Sequence, residues 1–194
     1  MTSFPHYFIG IPVSTEWKKT LFQWQKELKP LLPYKQWTNK HDLHITLKFL
    51  GPVEDKKIHL VAQTLQQLEN QDSFILHVGG VGTFGNANNP RVLWAGARQQ
   101  SRLSELHQVV ESSLTAYGFA KEKRPYRPHI TLAKKWAGTN GNDELPNIME
   151  NYQHKIDKMR VTQVVLFQIY PEQTPKYKKV SSYELRGGTH GTVN

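Results

Sequence analysis

Leu43-His44-Ile45-Thr46-Leu47-Lys48-Phe49-Leu50 decides the fold class. Side chains on a strand alternate with period two, so Leu43, Ile45, Leu47 and Phe49 form an apolar face and His44, Thr46 and Lys48 a polar one. Gly51-Pro52 ends the run. The core tetrapeptide recurs at His129-Ile130-Thr131-Leu132, where Arg127, His129 and Thr131 share the polar face within an expected strand over Tyr126–Ala133. Two strands with apolar backs would each offer an imidazole, a hydroxyl and a cation to a common space.

The remaining elements group around this pair. Tyr7–Ile11 reads as a strand, followed by a helix over Glu16–Leu28 with Trp17, Leu21, Trp24 and Leu28 on one face. Gln36–Thr38 reads as a brief strand. Glu54–Glu69 reads as a helix, and Phe74–Val78 and Val92–Ala97 as strands joined by a glycine- and asparagine-rich loop, Gly79–Pro90. A helix capped by Ser101 carries Leu103, Leu106, Val110 and Leu114. Lys135–Asn147 reads as a loop, Val161–Tyr170 as one β-branched run, and Val180–Leu185 as a last strand. Strands cluster too closely, and helices are too few, for a doubly wound parallel sheet. The expected class is α+β: two mainly antiparallel sheets with helices outside, in two similar lobes facing one another across a cleft. The expected organisation is a single unit, residues 1–194, of two interleaved lobes.

Composition narrows the partners. Twenty-five Lys and Arg against 16 Asp and Glu leave a formal charge of +9 with a pI near 9.6, which suits a polyanion such as RNA. The absence of cysteine excludes disulfides, thiolate nucleophiles and thiolate metal sites. No stretch approaches about twenty apolar residues, and Met1–Val13 has no basic leader, so the expectation is a soluble, cytoplasmic protein with no membrane or protein partner implied.

Paired imidazoles suit phosphodiester chemistry. A base must take a proton from the nucleophile and an acid must protonate the leaving oxygen, on opposite sides of phosphorus. An imidazole with a pKa of about 6.5 serves either task near neutrality. Thr46 and Thr131 can donate to non-bridging oxygens, with Lys48 and Arg127 as cations beside them. Which histidine is acid and which is base does not follow from spacing.

With these motifs in view, the sequence resembles the two-histidine (2H) phosphoesterase superfamily, and within it the bacterial and archaeal RNA 2′,3′-cyclic phosphodiesterases, historically called 2′-5′ RNA ligases. The resemblance also rests on Tyr7-Phe8-Ile9-Gly10-Ile11-Pro12, Phe84-Gly85, Pro90-Arg91-Val92-Leu93-Trp94, the extension of the second motif through Ala133, and Tyr177–Leu185. It implies a bilobal fold and metal-free opening of a terminal 2′,3′-cyclic phosphate to a 2′-phosphomonoester, with His44 as proton donor and His129 as acceptor. Small cyclic nucleotides and 2′-5′ ligation are the alternative activities. An RNA-binding module without catalysis is the alternative from another class.

Other features carry less. Gly80-Val81-Gly82-Thr83-Phe84-Gly85 matches a dinucleotide fingerprint, but Asn86–Pro90 is unsuited to open the helix such a site needs. No His-x-x-x-His pair or carboxylate cluster accompanies the nine histidines, with Asp42 the sole nearby acid, so no metal and no cofactor are expected. Lys121, Lys123, Arg124, Arg127, Lys134 and Lys135 gather around the second motif as a possible phosphate path, and Lys176, Lys178 and Lys179 form a second group. Tyr126, Phe84 and Trp37 are candidates for contacting a base.

Overall fold

The computed structural model describes residues 4–86, 89–138 and 143–188. The strands are β1 His6–Pro12, β2 Tyr34–Trp37, β3 His44–Pro52, β4 Phe74–Asn86, β5 Asn89–Ala97, β6 His129–Trp136, β7 Ile156–Val161, β8 Gln163–Ile169 and β9 Tyr177–Glu184. The helices are α1 Thr15–Leu28, α2 Asp55–Thr64, α3 Ser101–Thr115 and α4 Glu144–Gln153. All strand pairings between these elements are antiparallel, in the order β7-β4-β5-β6-β3-β1-β8-β9, with β2 also on β6.

The two expected sheets are the halves of this one sheet. They meet only where β3 faces β6, through the single residue pair Ile45–Ile130. Ile45 and Ile130 are fully buried. The chain also crosses between the halves at Thr162, which alone separates β7 from β8. In a flat sheet those strands would lie six spacings, or about 29 Å, apart at about 4.8 Å each. The sheet must therefore bend, and the expected single run Val161–Tyr170 is instead two strands serving opposite halves.

Helices cover the outer faces, each behind one half. On α1, Trp17 packs edge-on against Trp24, Trp24 against Tyr152 of α4, and Trp17 Nε1 donates to the carbonyl of Lys158 on β7 at 3.1 Å. Leu103, Leu106, Val110 and Leu114 of α3 are buried behind the other half, as their spacing requires. Ser14 accepts from the Trp17 amide and caps α1.

Three readings of the chain are corrected. Gly79–Pro90 is not a loop: β4 runs to Asn86 and pairs with β5 throughout, apart from residues 87 and 88, which lie outside the described residues. The glycines mark bulges and one close approach. Gly80 has φ +69 beside a register shift, and a Cβ on Gly82 would stand 2.2 Å from the Trp94 ring. Of the expected loop Lys135–Asn147, residues 139–142 lie outside the described residues, while Glu144 opens α4. Pro146 sits in the first turn of α4, where no helical partner exists for the missing N–H, and Leu145, Ile148 and Tyr152 form the buried stripe. The expected helix Glu54–Glu69 is α only to Thr64 and 3₁₀ over Leu65–Asn70.

Candidate active site

The two tetrapeptides start β3 and β6, and the fold treats them alike. From the histidine onward both strands show the same six-residue burial sequence: half-buried, buried, half-buried, buried, buried, exposed. Around the Ile45–Ile130 pair, the antiparallel register continues His44 toward Thr131 and Thr46 toward His129. Each imidazole thus stands diagonally from its counterpart with a hydroxyl beside it, around an approximate two-fold.

Backbone carbonyls fix both rings. His44 Nδ1–H donates to the carbonyl of Asp42 at 2.6 Å, and His129 Nδ1–H to that of Arg127 at 2.8 Å. A carbonyl only accepts, so each neutral ring carries its proton on Nδ1 and leaves Nε2 with a free lone pair. At His44, that Nε2 accepts from Thr46 Oγ1 at 3.0 Å. Gly10 makes room for the ring: a Cβ there would lie 2.8 Å from the Ile45 carbonyl oxygen and 3.4 Å from His44 Cδ2.

Both imidazoles are hard to protonate in the free site. Desolvation pushes His44 down to about 4, with the charges of Lys134 and His129 adding to the effect and the Asp42 carbonyl opposing it. Desolvation also lowers His129, with Lys134 adding and the Arg127 carbonyl opposing. The dependence of His44 on His129 charge places the two rings in one electrostatic neighbourhood.

Aromatic rings wall the site. Phe8 stacks at 4.5 Å from His44, with Phe167 and Tyr177 behind and beside it, and Tyr177 meets His44 edge-on at 5.1 Å. Phe84 meets His129 edge-on at 4.8 Å and Trp94 at 5.3 Å, so this predicted contact residue does stand at the site. Trp37 does not reach the histidine pair by any ring contact among the described residues. Its Nε1 donates to the Tyr34 carbonyl and its ring packs on Tyr34. Tyr126 is held from behind: it stacks on His107 at 3.9 Å and its hydroxyl donates to the Thr46 carbonyl at 3.2 Å. It supports the Thr46 strand rather than offering a free face.

Lys48 requires a correction. Pairing of β1 with β3 skips Leu47, so Gly10 faces Thr46 and Ile9 faces Lys48. This β-bulge reverses the alternation beyond it. Lys48 turns to α3, where its Nζ donates at 2.8 Å to both carboxylate oxygens of Glu111 and to the Ala120 carbonyl. It is buried and committed, so it is not a phosphate ligand. Phe49, expected in the core, is 60% exposed for the same reason. Pairing of β5 with β6 skips Leu132 in the equivalent place, which brings Lys134 to the histidine side. Arg127 is exposed just before β6, its carbonyl on His129.

One residue of the site had no role assigned from sequence. Asp42 is buried, and its carboxylate accepts from the backbone amides of Lys176 at 2.9 Å and Tyr177 at 3.1 Å while its carbonyl holds His44. It ties the β8–β9 connection to the first motif, 134 residues away. The adjacency of Asp42 to the motif is visible in the sequence, but its partners are not.

Comparison with known proteins agrees with this geometry. The profile of the 2′-5′ RNA ligase superfamily matches residues 16–170. The chain is 33% identical over 182 residues to the RNA 2′,3′-cyclic phosphodiesterase of Bacillus subtilis (strain 168), covering 93% of this chain and 97% of that protein. It is 32% identical over 187 residues to the RNA 2′,3′-cyclic phosphodiesterase of Geobacillus stearothermophilus, covering 96% of this chain but only 59% of the length of that relative. The fold superposes on Escherichia coli LigT complexed with 3′-AMP with a TM-score of 0.74 at 22% identity, over 94% of this chain and 99% of that one. A Thermus thermophilus structure gives 0.70 at 20% identity, over 93% and 98%. The profile match, the full-length bacillar relative and the doubled histidine strand together show that the chain belongs to the 2′-5′ RNA ligase superfamily of two-histidine phosphoesterases, enzymes that include the RNA 2′,3′-cyclic phosphodiesterases.

Proposed function

We propose that the chain hydrolyses the terminal 2′,3′-cyclic phosphate of RNA to a 2′-phosphomonoester by acid–base catalysis between His44 and His129, without a metal ion. The observation that carries this reading is the pair of carbonyl-anchored imidazoles, each with its Nε2 left for chemistry and a threonine hydroxyl alongside. The cyclic phosphate sits between the rings with its non-bridging oxygens taking hydroxyl donation from Thr46 and Thr131, and with Arg127 and Lys134 supplying positive charge. Thr46 then exchanges its bond to His44 Nε2 for one to phosphate.

His129 Nε2 takes a proton from water as its oxygen attacks phosphorus. His44, protonated, gives its proton to the departing ribose 3′-oxygen as the P–O3′ bond breaks, leaving the phosphate on O2′. His44 resists protonation in the free site, so the substrate's negative charge has to raise it. Phosphate and imidazolium therefore bind as a mutually dependent pair. Replacing the attacking water by an RNA 5′-hydroxyl gives a 2′-5′ linkage by the same proton movements.

The test is turnover of an RNA with a 2′,3′-cyclic end in EDTA. Each of His44→Ala and His129→Ala is expected to lose at least about a hundredfold in kcat, the lower range for a general acid or base. Full turnover in either variant, or loss of wild-type turnover in EDTA, overturns the mechanism.

A further inference from the structure

Two lysines outside the catalytic set come to the same side of the cleft from opposite halves of the sheet. Lys134 pairs with Val92, two residues along β5 from Trp94, and Trp94 pairs with Thr131. Residues paired across antiparallel strands share a face, as do residues two apart on one strand. Lys134 therefore projects on the face that carries Thr131, an orientation produced by the bulge at Leu132. Lys176 lies just before β9, at the far edge of the other half. Its backbone is fixed at both ends: its amide donates to Asp42 Oδ2 at 2.9 Å, and its carbonyl accepts from the Tyr170 amide at 2.7 Å. The same carboxylate holds Tyr177 against His44, so the position of Lys176 is rigidly tied to the catalytic ring.

Neither lysine has a carboxylate within ion-pair distance among the described residues. They are also near enough to repel. Desolvation first, and the charge of Lys176 second, keep Lys134 below the ordinary lysine range. An anion lying between two unpaired ammonium groups relieves that repulsion.

We infer that Lys134 and Lys176 form a second anion subsite across the cleft, which takes the internucleotide phosphate on the 5′ side of the terminal nucleotide and selects polymer ends over mononucleotides. This rests on the reading of the site given under Proposed function, since it is the terminal phosphate between the histidines that sets where the next phosphate falls. The subsite explains why the cation nearest the histidines is a lysine that reaches out of the sheet: it bridges the reacting phosphate and its neighbour.

The experiment measures binding apart from turnover. A 5′-fluorescein-labelled tetranucleotide ending in a 2′-phosphate is titrated by anisotropy at several salt concentrations, with adenosine 2′-phosphate as the competing mononucleotide. The expected result is that Lys176→Ala lowers the preference for tetranucleotide over mononucleotide about tenfold and reduces the salt slope by about 0.7, one single-strand phosphate contact. Lys176→Arg restores both. An unchanged preference, or equal weakening of the two ligands, overturns the subsite. Turnover of a cyclic-ended tetranucleotide is followed in parallel. If the wild type binds with this dependence yet opens no cyclic phosphate, the hydrolytic reading fails and the subsite stands.

Discussion

Replacing Lys48 by methionine separates a structural lysine from a phosphate ligand. The side chains of Lys48 and Glu111 are only 6% and 8% exposed, and Lys48 Nζ donates at 2.8 Å to both Glu111 oxygens and to the Ala120 carbonyl. Removing the ammonium leaves a buried carboxylate with the Glu122 amide at 3.2 Å and His107 at 3.9 Å as its remaining polar neighbours. Breaking one side of such a pair costs about 3–5 kcal/mol. At about 2–4 °C per kcal/mol for a chain of this size, the melting temperature should fall by about 6–20 °C. Replacing both partners, Lys48→Met with Glu111→Leu, should recover most of that loss, because an apolar pair of similar volume has no orphaned charge. The assay is thermal melting together with kcat/KM on a cyclic-ended RNA, measured well below the melting temperature. The folded fraction of the double variant should keep kcat/KM within about threefold, since no contact in the proposed transition state is lost. A Lys48→Met protein that melts like the wild type but has lost turnover would refute this placement and return Lys48 to the phosphate.

Three further outcomes follow from the site. Because both imidazoles are depressed, the bell-shaped pH profile of kcat/KM, which reports the free enzyme, should centre below about 6.5. Lys134→Met removes a lowering influence from each ring and should move that bell to higher pH; an optimum above neutrality in the wild type refutes the assignment. Gly82→Ala puts a methyl 2.2 Å from the Trp94 ring, which in turn supports Phe84 against His129. It should cost about 1–3 kcal/mol by overpacking and lower kcat, read by chemical denaturation and initial rates. Asp42→Asn sets an amide where two backbone N–H groups need acceptors. A loss of about 1–3 kcal/mol with a fall in kcat is expected, and wild-type behaviour would remove Asp42 from the machinery that positions His44.

The sequence by itself determined the doubled strand. Alternation of apolar and polar residues places His with Thr and Ile with Leu on opposite faces wherever a backbone is extended, and repetition of the pattern at 44–47 and 129–132 identifies the pair that meets. The helical stripes of α1 and α3 were equally plain, because buried leucines and tryptophans at spacings of three and four have one geometric solution. The antiparallel α+β class followed from strand clustering. Gly80, Gly82 and Pro146 were misleading by composition alone. Glycine in a strand and proline in a first helical turn are tolerated for reasons set by neighbours, here the Trp94 ring and the absent hydrogen-bond partner of a helix start.

What only tertiary structure decided was the direction of every side chain past Leu47 and Leu132. An unpaired residue in a ladder has no signature in residue type, since it exists only as a mismatch between two strands, yet it inverts the facing of all that follows. Through one bulge Lys48 went to Glu111 inside the protein. Through its mate Lys134 came out beside the imidazoles. Likewise, the carboxylate of Asp42 found its donors 134 residues away because chain folding, not sequence proximity, brings unsatisfied backbone amides to a buried acceptor.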